Sequence, residues 1–229
     1  MWLADTWTGE FVVKKNGPRY AILSHVWKVE GKPSMSEKIR RACAVARAHG
    51  YRSIWVDSCC IDKTSSAELS EAINSMFAWY RDASSPRAYN SYFRESMWFT
   101  RGWTLQELLA PAVVIETKSS LASLIALVTT IPTSVLLCTP PFRDFNVARR
   151  MSWASKRSTT RVEDEAYSLL SIFDINMPTL YGEGSRAFRR LQEEILRRIP
   201  DDSIFAWFPC RCPLGPHPHV RHPRDSRVL

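Results

Sequence analysis

Arg52-Ser53-Ile54-Trp55-Val56-Asp57 is a short apolar run that ends in a carboxylate, and its neighbours on both sides decide how the chain folds. Upstream, Tyr20-Ala21-Ile22-Leu23-Ser24-His25 has the same character and follows a turn signal at Asn16-Gly17-Pro18. Between the two runs, Ser36 to His49 carries Ile39, Cys43 and Ala46 on one helical face and basic residues on the other, and Gly50 suits the C-terminal cap. Strand, helix and strand at this spacing predict an α/β fold with a parallel sheet.

Beyond Asp57 the pattern turns helical. Ser65-Ser66-Ala67-Glu68 has the form of a capping box, and Leu69, Ile73, Phe77 and Tyr80 continue it as an apolar stripe. A short helix is expected within Trp98–Ala110, stopped by Pro111, then a strand over Ala112–Glu116 and a helix over Ser120–Thr130. Thr160-Arg161-Val162-Glu163 reads as a further capping box, opening a helix with Ala166, Leu169, Leu170 and Phe173 inside. From about Ser185 a long amphipathic helix places Phe188, Leu191, Ile195 and Ile199 inward and Arg189, Arg190, Arg197 and Arg198 mostly outward. The expected organisation is an N-terminal α/β domain over 1–117, a helical region over 118–207, and a disordered Pro/Arg/His-rich tail over 208–229.

Composition narrows the function classes. The 229 residues are 45% hydrophobic and 24% charged, which is ordinary for a globular chain with a real core. No window has the apolar length of a membrane span, and Met1-Trp2-Leu3-Ala4-Asp5 is not a secretory leader, so a cytoplasmic protein is expected. The six cysteines then read as reduced thiols, and Cys59-Cys60 lacks a second pair at metal spacing. The net charge of +8 arises partly in the tail, where Arg211, Arg221, Arg224 and Arg227 face only Asp225. Aromatic and basic residues are not interleaved on one surface, which argues against nucleic acid as partner. Cys210, Cys212, His217, His219 and His222 fit no zinc-finger spacing, so no metal site is expected.

Several blocks carry a family resemblance. Tyr20-Ala-Ile-Leu-Ser-His-Val-Trp27, Ile54-Trp-Val-Asp-Ser-Cys-Cys-Ile-Asp-Lys63 and Arg101-Gly-Trp-Thr-Leu-Gln-Glu-Leu-Leu-Ala-Pro111 resemble the signatures of fungal heterokaryon incompatibility (HET) domains. Met151-Ser-Trp-Ala154, Thr160-Arg-Val-Glu-Asp-Glu-Ala-Tyr167 and Met177-Pro-Thr-Leu-Tyr-Gly-Glu-Gly184 are similar to the helical segment that often follows them. The resemblance implies an effector of cell death in vegetative incompatibility, with protein partners (self-association or a sensor protein). It also implies a TIR-like, flavodoxin-like and mostly parallel sheet, because HET domains are remotely similar to TIR domains, some of which cleave NAD. The family's usual Cys-Tyr-Ala-Tyr-Leu strand has no counterpart in the fourteen residues between Ala83 and Trp98, so one strand is expected to be missing and residues 84–97 to form a poorly packed loop.

The resemblance also names a site. Trp103-Thr-Leu-Gln-Glu-Leu108 looks like the TIR pattern in which the glutamate is catalytic, which makes Glu107 the candidate catalytic residue and NAD a substrate, with no bound cofactor. Cleaving the nicotinamide–ribose bond develops positive charge at the ribose, which a carboxylate stabilises. Trp103 would share a helix face with Glu107 and stack on a base, and Arg101 would meet a phosphate. Ser24, His25 and Asp57 lie at the carboxyl ends of the two strands, where open parallel sheets bind ligands. A Ser24–His25–Asp57 hydrolase triad fails, because neighbouring strand residues point to opposite faces. Thr104-Leu105-Gln106-Glu107 is itself a capping box, and the residues alone leave catalysis and capping both open, as they leave open a non-enzymatic signalling module or an inactive copy.

Overall fold

The computed structural model describes residues 1–13, 19–24, 35–83, 97–110, 117–137 and 141–206. The expected turn at 16–18, the strand at Ala112–Glu116, the loop at 84–96 and the tail from 207 onward lie outside the described residues.

The sheet has four short strands, β1 (Trp2–Asp5), β2 (Phe11–Val13), β3 (Ala21–Ile22) and β4 (Ser53–Trp55), in the order β2-β1-β4-β3. The two runs read as strands pair in parallel, Ala21 opposite Ile54 and Ile22 opposite Trp55. Helix α1 (Met35–Ala48) lies between them in sequence, and Gly50 closes it with φ +81°.

Among the described residues the sheet is mixed, where a mostly parallel one is expected. Of the three pairings only β3–β4 is parallel, and β1 runs antiparallel to both β2 and β4. The reason is local. Asp5 accepts hydrogen bonds from the amides of Trp7 (2.8 Å) and Thr8 (3.1 Å), and Gly9 takes φ +76°, so Thr6–Glu10 folds back as a hairpin. That hairpin, which the sequence reading passed over, occupies the edge of β4 opposite β3. Arg52 then ties to Asp5 at 3.0 Å across the same junction.

Helix α2 (Ser66–Asp82) buries Ile73, Met76, Phe77 and Tyr80. Its start follows the capping reading in part. The Ser65 hydroxyl accepts from the Glu68 amide at 3.3 Å, but Glu68 accepts from the Asp62 amide at 3.0 Å. Trp55 stands edge-on to Trp79 (5.5 Å) and Tyr80 (5.8 Å), and the Tyr20 hydroxyl donates to the Trp79 carbonyl at 2.6 Å. These contacts fix α2 over the β3–β4 pair.

The remaining helices are α3 (Thr104–Leu109), α4 (Thr117–Thr129), α5 (Thr133–Leu136), α6 (Val147–Ser152), α7 (Asp164–Tyr167) and α8 (Arg186–Arg198). In α8, Ala187, Leu191 and Ile195 are buried, as the period requires. One hydrophobic core runs from Leu3 to Ile204, across the boundary expected at 117.

The second capping box is not used as one. The Glu163 side chain, itself buried, accepts from the amides of Gly182 (2.8 Å) and Gly184 (3.0 Å), at positive φ of 102° and 60°, and so clamps the turn that leads into α8. Thr100 to Thr104 is stapled to the downstream chain in a similar way. Ser158 donates to the Thr100 carbonyl (2.7 Å) and Gly102 donates to the Ser158 carbonyl (2.9 Å). A side chain at position 102 would put its Cβ 2.4 Å from Thr159 Cγ2, so only glycine allows this approach.

Candidate functional site around Glu107

Helix α3 is short, and the chain enters it without a side-chain cap. The Thr104 hydroxyl hydrogen-bonds the carbonyls of Trp98 and Arg101, the latter at 2.8 Å, and accepts no helix amide. Glu107 therefore does not complete a capping box. Its carboxylate accepts a short hydrogen bond from the Ser24 hydroxyl just beyond β3, and Ser24 in turn accepts from the Trp98 indole N–H at 2.7 Å.

Four further groups act on that carboxylate. Trp98, buried Tyr80, Asp57 just beyond β4, and Arg157 all lie close enough to influence its ionisation. Burial dominates and pushes the Glu107 carboxyl up to about 7. Ser24 pulls it down, Asp57 pushes it further up, and Trp98 and Arg157 pull it down. Burial also drives the Tyr80 hydroxyl well above its ordinary range, helped by the charges of Glu107 and Asp57. A carboxyl group balanced near neutrality serves in either protonation state at working pH.

The candidate residues separate accordingly. Ser24, Asp57 and Glu107 meet at the carboxyl ends of the parallel pair. Trp103, by contrast, lies near Asp164 and favours its ionised form, and Asp164 accepts from the Tyr181 hydroxyl at 2.8 Å. Trp103 thus stands beside α7. Arg101 bonds through its backbone, its carbonyl accepting from Arg157 at 2.9 Å. His25 lies outside the described residues.

Sequence reasoning missed Trp98, Tyr80 and Arg157 as site residues. Tyr80 looked like one more apolar position of the α2 stripe, and nothing in the local pattern around Trp98 or Arg157 distinguishes them. Two open surface hollows, of about 700 Å³ beside Phe145, Asn146 and Arg149 and about 400 Å³ beside His49, Tyr51 and Arg52, do not include Glu107. Among the described residues no group of three or more His, Cys, Asp or Glu could hold a metal ion, and no helix is long and apolar enough to cross a membrane. Cys43, Cys59 and Cys60 are free thiols.

Comparison with known proteins places this geometry. Residues 20–89 match the family described as heterokaryon incompatibility protein (HET), and residues 186–227 match a domain of unknown function (DUF8212). The chain is 41% identical over 220 residues to vegetative incompatibility protein HET-E-1 of Podospora anserina, an alignment covering 78% of this chain and 16% of that protein. The chain thus spans about a sixth of the length of the curated relative it matches. No solved structure matches. The HET match contains Ser24, Asp57 and Tyr80, three of the residues gathered at the Glu107 carboxylate. With the matching family over 20–89 and the long alignment to an incompatibility protein, the chain belongs to the heterokaryon incompatibility (HET) domain proteins.

Proposed function

We propose that the chain acts in vegetative incompatibility as an effector of regulated cell death, and that Glu107 is the carboxylate of a TIR-like NAD hydrolysis. The observation that carries the second part is the placement of Glu107. It does not cap α3, and it lies half-buried among polar groups at the carboxyl ends of β3 and β4. The TIR-like reading rests on that parallel pair together with the spacing of Trp103 and Glu107-Leu108.

In this reaction the bond from ribose C1′ to the nicotinamide nitrogen breaks, and nicotinamide leaves with the electron pair. The positive charge left on the ribose is stabilised by the Glu107 carboxylate, whose attraction is strong in a buried site. Water then adds to C1′ and releases a proton, giving ADP-ribose. Ser24 donates a hydrogen bond that favours the ionised carboxylate, Trp98 donates to Ser24 and so holds that hydroxyl in place, and an approaching cation favours the ionised form further.

Glu107→Gln keeps the shape of the side chain and removes its charge. Expressed in a fungal host with viability and NAD measured together, the wild type lowers NAD and kills, while the variant loses at least a hundredfold in NAD turnover. Equal NAD loss from both proteins would sink the catalytic role.

A second reading, killing through protein–protein assembly, is favoured by the sheet edge. All three residues of β2, Phe11, Val12 and Val13, are exposed, and among the described residues β2 is an outer strand with no strand paired on its far side. Val12→Lys blocks strand addition at that edge. Killing that survives Glu107→Gln but is lost in Val12→Lys would select this reading.

A further inference from the structure

Arg157 is the least expected member of the site, because it lies far downstream of the helix that carries Glu107. Its guanidinium is held by the protein at three points. Nε donates to the Trp153 carbonyl (3.3 Å), and Nη1 donates to the Arg101 carbonyl (2.9 Å) and the Thr104 hydroxyl (2.8 Å). Two of those acceptors belong to the turn from which α3 springs. The backbone staple between Thr100, Gly102 and Ser158 brings the two segments together, and Gly102 allows the close approach.

The rest of the group is unspent. Among the described residues the fully buried Nη2 finds no hydrogen-bond partner, and no carboxylate stands within 4.0 Å of the guanidinium. Burying a cation without a direct ion pair is costly, and such an arrangement persists where the charge serves something nearby. The Glu107 carboxylate feels this charge, which stabilises its ionised form while that of Asp57 opposes it. In a buried setting such a charge is felt beyond contact distance.

We propose that Arg157 is a positioning residue of the Glu107 site: it fixes the entrance of α3 and keeps a positive charge beside the carboxylate, so that the downstream helical region completes the site. This deepens the reading of Glu107 given above and rests on it for its catalytic consequence. The charged and titratable groups around Glu107 are Asp57, Tyr80 and Arg157, with Ser24 donating a hydrogen bond to the carboxylate and Trp98 donating to Ser24. Among these Arg157 supplies the positive charge. Its own depressed ionisation, to about 10, reflects burial partly offset by Glu107, and leaves it cationic at neutral pH.

Two variants test the proposal on the whole chain. Carboxyl carbon NMR titration follows Glu107, its resonance identified by its loss in Glu107→Gln, and thermal unfolding verifies that each variant is folded. Arg157→Met is expected to raise the Glu107 midpoint by at least one pH unit, a tenfold loss of ionised carboxylate at a given pH below it. Arg157→Lys keeps the charge but cannot reproduce the three-point fork, so its midpoint stays within half a unit of wild type while NAD turnover falls at least tenfold. A folded Arg157→Met with an unmoved midpoint overturns the proposal. Should Arg157→Met fail to fold, Arg157→Lys decides, and unchanged turnover overturns it. Should the wild type turn over no NAD, the catalytic reading fails. The titration still decides the present proposal, with Glu107→Gln as reference, and Arg157→Lys then overturns it if its midpoint moves as far as one unit.

Discussion

Glu107 shows how far a single position can be read from its neighbours in sequence. The order Thr-Leu-Gln-Glu has the form of a capping box, yet Thr104 bonds the carbonyls of Trp98 and Arg101 and the carboxylate is drawn across to Ser24. The choice is made by partners 83 residues apart in sequence, which no local pattern contains. A consequence for stability follows. The folded protein holds a proton on Glu107 at pH values where the unfolded chain, with an ordinary carboxyl near 4.5, has released it. Stability therefore falls as pH rises from about 4.5 to about 7, and the whole deficit is present above that. Its size is at most roughly 3 to 4 kcal/mol, from roughly 1.4 kcal/mol for each pH unit between the two midpoints. Glu107→Gln lacks this deficit, so its melting temperature relative to wild type should be highest at pH 8 and decline toward pH 4.5. Parallel melting curves across that range would show that the carboxylate is not strained by burial. Glu163 gives the opposite case. Hydrogen bonds from its own backbone amide and from Gly184 and Gly182 hold its carboxyl below the ordinary range. Glu163→Ala should cost roughly 2 kcal/mol in denaturant unfolding at pH 7, because two backbone donors lose a charged acceptor.

At the scale of elements, legibility follows length. Helices α1, α2 and α8 extend over 14, 17 and 13 residues, enough turns for the 3.6-residue period to show a face. Strands β1 to β4 have between two and four residues each, too few for alternation to stand out, and the β1–β2 hairpin went unseen although Asp5 and Gly9 mark its turn. Gly102 is an element-scale constraint that sequence hid. It adopts no positive φ, and its role is to let the chain before α3 touch Thr159 and Ser168. Gly102→Ala should destabilise by about 2 kcal/mol, the usual scale of forced overpacking, and should also loosen Arg157. Chemical denaturation of the variant checks the first point. A cost below about half a kcal/mol would mean that the two segments separate readily.

For the whole molecule, buried residues on both sides of the division expected at 117 belong to one cluster. Leu105, Leu108 and Leu109 of α3 share one buried cluster with Val135 and Leu136 of α5 and with Leu170 and Ile172. A chain ending at residue 117 would expose that surface, and the expected outcome is a product without cooperative thermal unfolding, whereas residues 1–206 unfold in one transition. Circular dichroism on the two fragments tests this. A sharp transition in the short fragment would show that the sheet half carries its own core.

The sequence by itself determined the family, the strand–helix–strand unit with its parallel pair, the long amphipathic helices and the identity of Glu107 as the carboxylate to watch. Those features are encoded in contiguous residues, through period, punctuation and motif. Only the tertiary structure decided that the sheet is mixed, because an edge pairing between β1 and β4 depends on which free edge the hairpin reaches. Likewise only the fold turned Trp103 toward Asp164, gathered Tyr80, Trp98 and Arg157 around Glu107, and set a neutral-range ionisation there. Burial and long-range hydrogen bonds are properties of packed segments, and they come into being when residues distant in the chain share one low-dielectric neighbourhood.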